Sequence, residues 1–105
     1  MLVKRPATPE AYIELIRQAM FEVDDLRAAI EYDSEGMSDS LRFIDELERH
    51  IKALYTSLED GSYEFADEDL PYMNLVRAHG LFTLPFRDLL TIINDTHKNG
   101  LDANG

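Results

Sequence analysis

Two apolar stripes at helical spacing, separated by one short polar break, constrain this chain more than any other feature. The first is Tyr12, Ile16, Ala19, Val23, Leu26 and Ile30, and the second is Ile44, Leu47, Ile51, Leu54 and Leu58. Steps of three and four put each set on one side of a helix, and a helix with one apolar side must bury it. The break, Asp33-Ser34-Glu35-Gly36, is short enough for the two helices to fold back on each other as an antiparallel hairpin.

The helix limits have local causes. Thr8 is placed to cap the first helix, Pro9 suits its first position, and Glu10 sits at the positive end of the helix dipole. That helix is expected to end near Tyr32, with Gly36 free to adopt the left-handed conformation that closes helices. Ser38 or Asp39 caps a second helix that runs to Asp60 and stops at Gly61. Ile13, Leu15, Met20, Leu41, Phe43 and Tyr55 widen both stripes beyond a coiled-coil seam, which implies more than one neighbour.

Beyond Gly61 the chain is acidic and irregular from Ser62 to Leu70, and Pro71 turns Leu70 away from helical angles. A short third helix is expected over Tyr72–His79, ending at Gly80, with Leu75 and Val76 in the core. After a connection that includes Thr83, a fourth helix is expected over Pro85–Lys98. Its buried face would be Phe86, Leu89, Leu90 and Ile93. The reading is therefore all-α: a long antiparallel helical hairpin with two shorter C-terminal helices packed on it, like a four-helix bundle. It makes one domain over residues 1–105, with 1–7 and 99–105 expected to fray.

Charge narrows the partners. The chain has 21 acidic and 10 basic side chains, a formal net charge of −11. Nucleic-acid backbones and anionic membrane surfaces recruit Lys and Arg, so neither is an expected partner. A basic protein, a cation or solubility alone fits the charge better. With no cysteine, there is no disulfide, thiolate nucleophile or Cys-held metal. No apolar run approaches the roughly 20 residues that span a bilayer. The basic pair Lys4-Arg5 is not followed by a signal-peptide core. The expected location is the cytoplasm.

Motifs for chemistry are weak. Glu31 to Asp39 places acids and Gly36 where an EF-hand loop has them, but Arg42 stands at the twelfth position, where a bidentate acid is needed. Glu46 and His50 are spaced as a surface pair. His79 and His97 fall at helix ends, where a cation complements the dipole. No Glu-x-x-His pair, Gly-x-Ser-x-Gly elbow or phosphate-binding Gly-rich loop is present. Asp24 and Asp25 read as a solvated face, since helix neighbours in sequence do not face each other. No catalytic residue, metal ligand or cofactor site is expected.

The candidates that remain are partner-binding residues. Phe21 lies off the first stripe, beside Asp25. Tyr63 and Phe65 interrupt the acidic connection, which continues through Asp67, Glu68 and Asp69. Aromatics among acids suit a basic groove on a partner. The plainer alternative is that Tyr63 and Phe65 fold back as lids over the hairpin's open end.

Ala19-Met20-Phe21-Glu22-Val23-Asp24-Asp25, Glu68-Asp69-Leu70-Pro71 and Asn94-Asp95-Thr96-His97 together resemble a group of small bacterial proteins of unassigned function. Some of that group carry a loose secretion-pathway label. The resemblance implies no catalytic residues. A membrane secretion component would need a transmembrane helix, which this sequence does not contain. The expected function is thus a small acidic interaction or accessory module that binds a protein partner or itself as a homodimer. The alternatives are a cation-binding helical protein, using the Glu31–Asp39 loop or carboxylates of neighbouring helices, and an acidic mimic of nucleic acid. Arg17 and Arg27, mixed among the acids of the first helix, weaken the last.

Overall fold

The computed structural model describes residues 5–33, 38–78 and 86–101. Among them are four helices: α1 (Pro9–Asp33), α2 (Ser38–Asp60), α3 (Met73–Ala78) and α4 (Arg87–Asn99). Gly36, His79, Gly80, Thr83 and the middle of the cation loop, residues 34–37, lie outside the described residues. The α1 start follows the local rule, because Thr8 Oγ1 accepts from Ala11 N–H at 3.1 Å and satisfies one of the orphan donors of the first turn. At the other end of the hairpin, α2 stops at Asp60 and Gly61 takes φ 81°, a left-handed angle that favours glycine.

The stripes meet as an antiparallel hairpin. Arg27 pairs with Asp45 at 2.6 Å, and Arg17 reaches the Tyr55 hydroxyl at 3.2 Å. Retreating along α1 from Arg27 to Arg17 thus means advancing along α2 from Asp45 to Tyr55. Tyr12, Ile16, Ala19, Val23 and Ile30 of α1 are buried against Ile44, Leu47, Ile51 and Leu54 of α2. Phe43 joins them, while Leu26 and Leu58 pack at the margin. Each fully buried Leu or Ile contributes about 1.5–3 kcal/mol over its exposed state, so this seam is the main source of stability.

The hairpin leaves an apolar face that α4 covers, and α3 packs on α4. Leu90, Ile92 and Ile93 of α4 are buried, as is Phe86 just before it. Leu89, expected in this core, is only partly buried. The third helix begins at Met73 rather than Tyr72, and Met73 and Val76 are its buried residues, with Leu75 at the margin. Tyr72 stays in the turn before it, where its hydroxyl donates to Leu90 O at 2.5 Å from a fully buried position. The reason is geometric: a helix of one and a half turns can bury only one narrow stripe.

Residues just past α4 are held. Gly100 N–H donates to Thr96 O at 2.7 Å, Arg5 Nη1 donates to Gly100 O at 3.5 Å, and Leu101 packs against the core. No described helix is long and apolar enough to cross a membrane.

Candidate functional site

The acidic connection between α2 and α3 builds the site. It is a strap fastened at both ends. Asp60 Oδ1 accepts from Ser62 N–H at 2.9 Å and from the Ser62 hydroxyl at 2.6 Å, and Tyr63 N–H donates to Ser57 O at 3.0 Å. The last of these bonds uses a carbonyl that the end of α2 leaves free. Further along, Ala66 N–H donates to His97 O at 3.2 Å, which satisfies a last-turn carbonyl of α4. Leu70 N–H then donates to Asn94 Oδ1 at 2.7 Å, in a buried position.

Asn94 and His97 are the residues that receive this strap, and both are buried, at 3% and 7% exposure. Their position was readable. Carrying the α4 stripe Leu90, Ile93 one turn further gives Asn94 and His97. A polar side chain on a buried face needs a partner, and here the strap supplies it. His97 therefore does not act as the helix-capping cation that its last-turn position suggests. Its Nδ1 bonds the Tyr63 hydroxyl at 2.6 Å, and burial lowers its pKa from 6.5, with Glu68 pulling partly the other way.

Tyr63 also bonds Tyr12. The two hydroxyls are 2.9 Å apart, and the Tyr12 hydroxyl lies 3.4 Å from Ile93 O. Phe65 stacks on Tyr12 with ring centroids 5.8 Å apart and meets Tyr63 edge-on at 5.1 Å. Burial raises the Tyr12 and Tyr63 hydroxyls above their ordinary range, so both are neutral phenols. The lid expectation holds for Tyr63, which is half-buried. Phe65 covers Tyr12 with one face and keeps 45% of its surface exposed.

Asp69 anchors the far end of the strap. It accepts from Asn94 Nδ2 at 3.0 Å, takes an ion pair from Arg77 of α3, and lies 3.4 Å from Lys98 Nζ of α4. The Asn94 hydrogen bond, followed by the Arg77 and Lys98 contacts, holds its carboxyl well below the usual carboxylate range. This acid is engaged within the fold, unlike Glu64, Asp67 and Glu68, which are exposed and form no ion pair among the described residues.

Between the strap and α2 lies a cleft of about 400 Å³. Its floor is apolar, from Leu54, Leu70, Pro71 and Tyr72. Glu64, Glu68 and Asp69 stand along it, and His50 of α2 and His97 of α4 also line it. His50 therefore belongs to the cleft; the ion partner of Glu46 is Arg49, at 3.9 Å. A volume of this order, with apolar side chains and convergent polar groups, is the pattern of a ligand pocket. Among the described residues no group of three or more His, Asp or Glu is arranged to hold a metal ion.

The sequence candidates divide in two. Tyr63, Glu68 and Asp69 line the cleft, and Phe65 lies beside it against Tyr63. Phe21 is elsewhere: nine residues after Tyr12, it falls on the opposite side of α1, where it is 64% exposed beside an exposed Asp25. Among the cleft residues that the candidate set lacked are His50, Glu64, Tyr72 and His97. No family model matches the chain, and no curated protein or solved structure matches it.

Proposed function

We propose that the protein is a binding module that takes a basic segment of a partner protein into the strap cleft. One observation carries this reading: carboxylates of Glu64 and Glu68, without ion partners among the described residues, flank an apolar-floored cleft. Lys and Arg side chains match such a surface, with their alkyl stems on the floor and their charged heads at the rim. The net charge of −11 extends the attraction beyond the contact.

The test is a titration with a fluorescent Lys/Arg-rich peptide, and with its Glu-substituted counterpart, at 50 and 300 mM salt (roughly one halving of the Debye length). The basic peptide is expected to bind, to weaken at high salt, and to shift backbone amides of His50–Ser57 and Glu64–Tyr72. Glu64→Gln with Glu68→Gln should weaken it. Equal binding of both peptides, or shifts confined to other parts of the molecule, would overturn the proposal.

A further inference from the structure

We infer that the cleft recognises the peptide backbone as well as its charge, through His97 Nε2–H donating to a carbonyl oxygen of the bound segment. This inference rests on the reading of the cleft as a site for a basic segment and adds what the ligand must carry besides positive charge.

The chain of contacts runs from His97 Nδ1 through the Tyr63 and Tyr12 hydroxyls to Ile93 O, at 2.6, 2.9 and 3.4 Å. Each phenol has one proton to donate. If Tyr63 donates to Nδ1, the Tyr12 proton goes either to Tyr63 or to Ile93 O. If both phenols point away from His97, the imidazole N–H donates to Tyr63, and Tyr12 must make its bond at 3.4 Å. The 2.6 Å Tyr63–His97 contact is shorter than N–H donor bonds run and within the range of O–H donors, which makes Tyr63 the donor. A phenol O–H is also a better donor than a neutral imidazole N–H, and an imidazole nitrogen a better acceptor than a phenol oxygen. Nδ1 is thus the acceptor, and the ring proton of neutral His97 sits on Nε2.

Nε2 faces a use. His97 is 7% exposed and lines the cleft, yet Nε2 has no partner among the described residues and is not sealed from solvent. A donor so placed calls for an acceptor. The rim of Glu64 and Glu68 repels anions, which removes phosphates and carboxylates as the source of that acceptor. Polyamines satisfy the rim but bring only N–H groups to Nε2. A peptide with a Lys or Arg side chain supplies both parts: a cation for the rim and a neutral carbonyl for His97.

The experiment uses the protein with 15N-labelled histidine. In the free protein near pH 7.5, ring nitrogen shifts should show His97 protonated at Nε2 and bare at Nδ1. The Nδ1-protonated form would overturn the inference. Two probes follow: the blocked pentapeptide acetyl-Ala-Ala-Arg-Ala-Ala-amide, and butylguanidinium, which has the charge without a carbonyl. Both should shift the amides of Glu64 and Glu68, and only the peptide should shift His97 Nε2. Tyr63→Phe releases the tautomer, and it should weaken the peptide about three- to tenfold. Peptide binding at Glu64 and Glu68 with Nε2 unmoved would overturn this inference and leave the basic-segment reading standing. Failure of both probes to bind would overturn the two together.

Discussion

Tyr63 Oη lies 2.6 Å from His97 Nδ1, which joins the strap to the last turn of α4 across 34 residues of chain. The bond closes one wall of the cleft and decides how His97 is protonated. Tyr63→Phe removes it together with the bond to Tyr12. The expected loss is about 1–2 kcal/mol in urea unfolding, the range for deleting a part-buried hydroxyl whose partners lose their bonds. The helical signal should remain.

Asn94 holds the strap at its other fixed point. Its carbonyl accepts the buried Leu70 N–H, and its amide donates to Asp69. Asn94→Ala leaves that N–H without an acceptor, which is expected to cost about 1–3 kcal/mol. Native-state hydrogen exchange localises the effect: the Leu70 amide should exchange much faster, while the amides of Leu47 and Ile51 follow global stability.

Acid should weaken the fold in two steps. Burial lowers the His97 pKa from 6.5, so the unfolded chain binds this proton more readily than the folded one. The stability from neutral His97 is present above pH 6.5 and is lost as pH falls from 6.5 through the lower folded value. Asp69 acts below that window: its contribution is present above 3.8 and is lost on further acidification. Urea midpoints measured from pH 8 to 3 should show both, and His97→Phe should flatten only the upper step.

Two large apolar side chains of α1 differ in consequence. Phe21 is 64% exposed, and Ile16 is fully buried in the hairpin seam. Phe21→Ser should change stability by less than about 0.5 kcal/mol. Ile16→Ala should cost about 2–5 kcal/mol through lost burial and the cavity left behind. Thermal melts of the two variants separate these outcomes.

The helices were legible because their causes are local. Apolar steps of three and four, the Thr8 cap and the Gly61 stop each act within a turn or two, and α1 begins and α2 ends where those signals stand. The hairpin follows from the same pattern, since two amphipathic helices on a short tether meet first. The two faces of α1 were legible too: Phe21 off the stripe is the exposed one.

The cleft depends on tertiary structure. Tyr63 meets Tyr12 across 51 residues of chain and His97 across 34, and Leu70 meets Asn94 across 24. No periodicity reaches that far. Nothing local states that an acidic, irregular strap will lie along the end of α4. The buried face of α4 does carry a trace of it, in two polar residues that continue an apolar stripe and so require partners. Secondary structure is decided within each segment by its own spacing. The charge, tautomer and exposure of His97 are decided only when a distant tyrosine is folded against it, because desolvation and hydrogen bonding depend on the neighbours that packing supplies.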